Sequence, residues 1–130
     1  MSSFVQIPEE AEEIARSLLD AALEVHRQLG PGFLERIYEE ALCQELTWRA
    51  IPFECQKPVQ VLYKGVSVGD QRLDLLVGSL VIVEIKAVDA ILLIHQAQLL
   101  SYLKTTHLRL GFVINFNVKL LKNGIKRMVL

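Results

Sequence analysis

The stretch Arg72–Val88, RLDLLVGSLVIVEIKAV, sets ionisable side chains into the most apolar part of the chain. Leu80 to Ala87 is almost wholly Val, Ile and Leu, the pattern of a strand buried on both faces. Glu84 and Lys86 interrupt it two residues apart, hence on one face, and Asp74 lies just across a turn at Gly78-Ser79. Removing a carboxylate or an ammonium from water costs several kcal/mol unless the charge is paired or metal-bound. A strand this apolar carries Glu-x-Lys because something uses it.

Register decides whether Asp74 joins the pair. A two-residue turn at Gly78-Ser79 would set Asp74 opposite Val83 and point it away from Glu84. A three-residue loop, or a bulge, opposes Asp74 to Glu84 instead, and Gly78 makes either irregularity cheap. The sequence therefore predicts a three-residue loop or a bulge, with Asp74, Glu84 and Lys86 on one face.

The 130 residues, 52% hydrophobic and 22% charged, fit a single domain spanning 1–130, with an N-terminal helix over 1–29 and a core over 30–130. Charges interrupt every apolar run before it reaches the length of a membrane span. The opening segment MSSFVQIPEEAEEIA lacks a basic region followed by an apolar one and is not expected to be a secretory signal. Cys43 and Cys55 are too few and too far apart for a disulfide framework or a CxxC metal site, and two thiols fit a cytoplasmic protein. Net charge is −1, but residues 1–56 carry 4 Lys/Arg against 11 Asp/Glu, and residues 57–130 carry 10 against 4. A polyanion would be drawn to the second half and repelled by the first.

In chain order, Pro8 opens a helix whose first turn is acidic, and Gly30-Pro31-Gly32 ends it. Its stripe is Ile14, Leu18, Ala22 and Val25, and His26 reads as a surface or capping histidine. A second helix runs from about Phe33 to Arg49, with Leu34, Ile37, Tyr38, Ala41, Leu42 and Trp48 buried and Glu39, Glu40 and Glu45 facing water. By charge alone Glu35, at the margin of that stripe, is a solvated helix glutamate. Val59–Tyr63 and Val66–Val68 read as extended, with a break around Gly69-Asp70 before the central hairpin, making a meander of three strands. Ile91–Lys104 returns to helical spacing, with Leu92, Ala97, Leu99, Leu100 and Leu103 apolar and Gln98 and Tyr102 four apart on one face. Leu108–Phe116 and Gly124–Leu130 are the last strands. The order α-α-β-β-β-α-β-β predicts an α+β layered domain with mixed strand pairing.

Two carboxylates converging beside a lysine suit a hard divalent cation that must also meet phosphate. Mg²⁺ takes one or two protein carboxylates and keeps positions for water and phosphoryl oxygen. Lys86 can orient or deprotonate a water, or meet phosphate as a point charge. A ligand-free Asp/Glu/Lys ion pair is the competing reading. Phosphate loops, HExxH and GxSxG are absent, and His26, His95 and His107 do not have zinc spacing.

Taken together, Asp74 followed at D-x9 by Glu84-Ile85-Lys86 resembles the signature of the PD-(D/E)XK nuclease superfamily. Gln98-x-x-x-Tyr102 is similar to the QxxxY element of its RecB-like branch. Gly32-Phe33-Leu34-Glu35-Arg36-Ile37-Tyr38 resembles the motif that names the GxxExxY family within it, and the likeness runs from about Leu29 to the C-terminus. It implies a restriction-endonuclease-like core, a central mixed sheet flanked by helices. It implies Asp74, Glu84 and Glu35 as ligands of Mg²⁺ or Mn²⁺, with Lys86 as the catalytic lysine. It also implies Gln98 and Tyr102 supporting the site or contacting substrate. Leu73 stands where the superfamily's name has proline.

The function so implied is metal-dependent hydrolysis of phosphodiester bonds, in DNA before RNA. A non-catalytic nucleic-acid- or protein-binding module that keeps the fold is the main rival, and a structural homodimer around a buried ion-pair cluster is the third reading. No membrane partner is expected, and processive action would need a motor or recognition protein on another chain. Arg72, Lys104, Arg109 and the Lys119–Arg127 group are the candidate phosphate-meeting cations, with the acidic first helix away from the phosphate path.

Overall fold

The computed structural model describes residues 6–130. Residues 1–5 of the segment read above for a secretory pattern lie outside them. Helix α1 (Glu9–Leu29) follows Pro8, whose carbonyl accepts the Glu12 N–H, and ends where the Gly30 N–H bonds the His26 carbonyl. Helix α2 (Glu35–Trp48) follows, then strands β1 (Phe53–Tyr63), β2 (Val66–Val77) and β3 (Val81–Lys86), helix α3 (Leu93–Thr106), strand β4 (Leu110–Asn115), a 3₁₀ turn at Leu121–Gly124 and strand β5 (Ile125–Val129). The sheet order is β1-β2-β3-β4-β5, antiparallel throughout except for the parallel β3–β4 pair, which α3 connects. The fold is thus the α+β, restriction-endonuclease-like arrangement, with elements in the expected order.

Alternation along β3 divides the core. Val81, Val83 and Ile85 point to the layer of α1 and α2, with Leu75, Val77, Phe112 and Phe116. Ile82 points the other way, to Leu99, Tyr102 and Leu103 of α3. Glu84 and Lys86 continue the Ile82 side, so α3 covers the face that carries them. Gly111 on β4 makes this cover close, since a Cβ there would stand 3.0 Å from the Leu99 side chain and 3.1 Å from the Ile82 carbonyl oxygen.

Several expectations are corrected. The break at Gly69-Asp70 is absent: β2 runs straight through it, and the irregularity is a bulge between Val61 and Leu62 that leaves Val68 unpaired. The buried stripe of α2 is Tyr38, Leu42 and Leu46, while Leu34, Ile37 and Trp48 are exposed. The Tyr38 ring, stacked on Phe116 with centroids 4.7 Å apart, turns the helix that way. On α3, Leu92 and Ala97 are exposed and Tyr102 is buried instead. His26 is buried, not superficial, and its Nε2 lies 2.7 Å from the Val118 carbonyl oxygen.

The β2–β3 loop is the three-residue one, Gly78-Ser79-Leu80, because Val77 pairs with Val81 and Leu75 with Val83. Gly78 sits at φ +58° against the Ile14 side chain. Gly78→Ala is therefore expected to lower stability by about 1–2 kcal/mol, from left-handed strain and displacement of Ile14. Urea unfolding of the two proteins checks this, and an unchanged midpoint would show that the loop does not need glycine.

Candidate functional site

The hydrogen-bonded ladder between β2 and β3 stops at Leu75–Val83. Beyond it β2 stays with β1, through Leu73–Lys57, and β3 stays with β4, through Lys86–Asn115. The sheet forks there, and the next opposed pair is Asp74 and Glu84. A fork leaves backbone N–H groups without partners, which a buried site does not tolerate. The two carboxylates fill the need: the Ile85 N–H donates to Asp74 Oδ2 at 2.9 Å, and the Asp74 N–H reaches Glu84 Oε1 at 3.4 Å. Each acid thus bonds the strand opposite its own.

Burial has an electrostatic consequence. Glu84 is 4% exposed, and burial, then the charge of Asp74, pushes its carboxyl from the ordinary 4.5 up to about 8. Burial also raises Asp74, opposed by the Ile85 N–H, the Lys86 charge and Gln56. Lys86 favours the ionised form of both acids but closes no ion pair among the described residues. Its backbone is fixed at both flanks. The Phe116 N–H donates to its carbonyl at 2.9 Å, and buried Asn115 grips Val88 through Oδ1 to the N–H (3.0 Å) and Nδ2 to the carbonyl (2.9 Å).

Helix α2 approaches from the other side. Glu35, its first residue, is exposed, and its charge is felt at Glu84. Among the described residues no three acidic, histidine or cysteine side chains are close enough to enclose a cation. The structure therefore brings Asp74 and Glu84 together and leaves Glu35 outside that pair. Tyr38 fixes where Glu35 sits: its hydroxyl donates to the Gly30 carbonyl and accepts the Phe33 N–H, tying down the turn before the helix.

Two residues were not anticipated. Glu39, expected in water, is half-buried one turn after Glu35. Burial raises its pKa, as does the charge of Asp74. Its Oε1 accepts a 2.7 Å hydrogen bond from the side chain of Gln56 on β1. The spacing Glu35–Glu39 puts both on one helix face and could have been read. Gln56 has no sequence signal, because its place depends on a local backbone departure.

From α3, Tyr102 is 6% exposed, and burial followed by the charges of Glu84 and Asp74 pushes its hydroxyl up to about 12. It stays protonated and can only donate to an anion. Gln98 is exposed, and its side chain makes no hydrogen bond among the described residues. Arg72 is exposed two residues before Asp74 on β2. Beyond it a groove of about 440 Å³ runs between the β1–β2 arm and α3, lined by Gln71, Ser101, Lys104 and Thr105 among others. Gln71 holds its floor by bonding Ser101 (2.9 Å) and Thr105 (2.8 Å). Two expected phosphate-meeting cations are engaged elsewhere: Arg127 pairs with Glu12 of α1 at 2.6 Å, and Arg109 bonds the Leu130 carbonyl at 2.9 Å.

The donor set fits a hard divalent cation. Two carboxylates meet the need of such an ion, and both are raised by burial, with Asp74 raising Glu84 further, in a way that a shared cation would relieve. Among the described residues no helix is long and apolar enough to cross a membrane. The family model of the PD-(D/E)XK nuclease superfamily matches residues 12–128. None of the curated proteins and none of the solved structures matches the chain.

The raised Glu84 fixes a sign. Between 4.5 and about 8 the folded protein holds a proton that the unfolded chain has released. The contribution of Glu84 is thus fully present below 4.5 and is lost as pH rises through about 8. Without divalent cation, Tm is expected to fall across that window, and Glu84→Gln to flatten the fall. Mn²⁺ should raise Tm more at the alkaline end, where it does not compete with the proton. Thermal denaturation across pH with and without Mn²⁺ checks both, and a slope of the opposite sign would refute the assignment to Glu84.

Proposed function

The chain belongs to the PD-(D/E)XK nuclease superfamily, and we propose that it is a Mg²⁺- or Mn²⁺-dependent nuclease hydrolysing phosphodiester bonds in DNA. The observation that carries this is the pair of carboxylates, buried Glu84 and half-buried Asp74, interlocked at the fork of the sheet with Lys86 on the same side.

Asp74 and Glu84 would hold the cation. When bound, the cation supplies charge stabilisation at the phosphate and lowers the pKa of water to near neutrality. Lys86, held at its backbone by Phe116 and flanked by Asn115 on β4, presents an ammonium that orients the attacking water or neutralises a phosphate oxygen. Glu35, at the start of α2 and outside the pair, acts at longer range, through water. The protonated Tyr102 hydroxyl donates to a phosphate oxygen. Gln98 and Arg72, both exposed, extend the contact along the strand of nucleic acid, and Lys104 continues it beside the groove. Helix α1 packs on the opposite side of the sheet from Glu84 and Lys86, which keeps its acidic run from opposing the substrate.

The test is incubation of the pure protein with end-labelled single- and double-stranded DNA and RNA in Mn²⁺, Mg²⁺ or chelator. Cleavage is expected only with metal, and Asp74→Asn and Lys86→Met should each reduce it at least a hundredfold, about 2.7 kcal/mol in the barrier. DNA binding by the variants should persist and weaken with salt, as phosphate contacts require. A folded protein that binds DNA with the same salt dependence but never cleaves it would make the chain a binding module.

A further inference from the structure

We propose that Gln56 is a positioning residue of this site, its side-chain amide holding Asp74 at the fork and Glu39 of α2 beside it. The inference rests on the nuclease reading and assigns a role to a strand outside the motif-bearing elements.

The backbone gives the first observation. Register on β1–β2 runs through Cys55–Leu75 and resumes at Lys57–Leu73, so the residue facing Asp74 is Gln56, which is missing from the ladder. Gln56 has φ +50°. A non-glycine residue in the left-handed region costs about 1–2 kcal/mol and persists where the surroundings impose it. Nothing on β1 alone demands this conformation, because Cys55 and Lys57 on either side are regularly paired.

The second observation is what the side chain does. Gln56 Nε2 donates to Glu39 Oε1 at 2.7 Å, across two elements. A primary amide carries two N–H donors; one is spent on Glu39, and the other is left for Asp74, the residue that the register sets opposite Gln56. A neutral double donor suits a place between two acids. A carboxylate there would repel both, and a lysine would neutralise the charge that a cation requires. The departure at Gln56 therefore sets a half-buried amide where β1, β2 and α2 meet, across from Asp74, whose Oδ2 takes the Ile85 N–H.

Two variants separate positioning from a mere backbone bulge. Gln56→Gly relieves the left-handed conformation and removes the amide; Gln56→Met keeps the length and removes only the amide. Urea unfolding and calorimetric Mn²⁺ binding are measured on the whole chain. Gln56→Gly should unfold at the same or a higher urea concentration than the wild type. Both variants should bind Mn²⁺ at least about tenfold more weakly, the scale expected when a partner of a metal ligand is lost. With DNA present, kcat should fall while KM stays within about twofold. Mn²⁺ binding equal to wild type in both variants overturns the inference and leaves the nuclease reading standing. Loss of a cooperative urea transition in both would overturn it in favour of a purely structural role. A wild-type chain that binds no Mn²⁺ overturns the inference together with the reading it rests on.

Discussion

The structure depends on a sheet that parts between its second and third strands. Where β2 leaves β3, the ladder can no longer satisfy its own backbone, and the unpaired N–H groups of Asp74 and Ile85 lie in a buried place. A polar side chain must serve them, and here each strand lends a carboxylate to the other. Two acids are thereby drawn to one point, and their burial keeps Glu84 protonated well above its ordinary range. The same fork that would be a defect in a continuous sheet becomes a paired-carboxylate site. A cation held there would favour the ionised form that burial opposes.

The two cores serve this point from opposite faces. On the α1–α2 side, Tyr38 stacks on Phe116, whose N–H bonds the Lys86 carbonyl. One aromatic contact thus links the turn that positions Glu35 to the strand end that carries the lysine. On the α3 side, Gly111 lets Leu99 approach the sheet, and Tyr102, one turn further toward the helix C-terminus, comes within electrostatic reach of Asp74 and Glu84. The site's backbone anchors are packed side chains and ladder ends rather than loop tips.

How much of this was legible follows from where the information lies. Asp74, Glu84 and Lys86 could be read because charge in a Val/Ile strand is costly, and because only one loop length puts them on a common face; the Gly78-Ser79-Leu80 loop is that length. Helix ends at Pro8 and Gly30 were equally local. The α2 stripe was misjudged at Leu34 and Trp48, because hydrophobicity does not say which residue meets Phe116. His26 was misjudged because its partner, the Val118 carbonyl, lies far along the chain. Gln56 was out of reach altogether. Its role depends on a left-handed backbone inside a strand and on a contact to another element, and neither leaves a periodic trace. Charge counting over the basic half overlooked that Arg127 and Arg109 are occupied by Glu12 and by the chain's own last carbonyl.

The central proposal is that Asp74 and Glu84 hold one divalent cation between them. Crystals grown with Mn²⁺ and measured for its anomalous scattering test it most directly. The account predicts one strong peak within coordinating distance of an oxygen of each carboxylate. At saturating Mn²⁺, a well-ordered site with no peak between the two acids would contradict it.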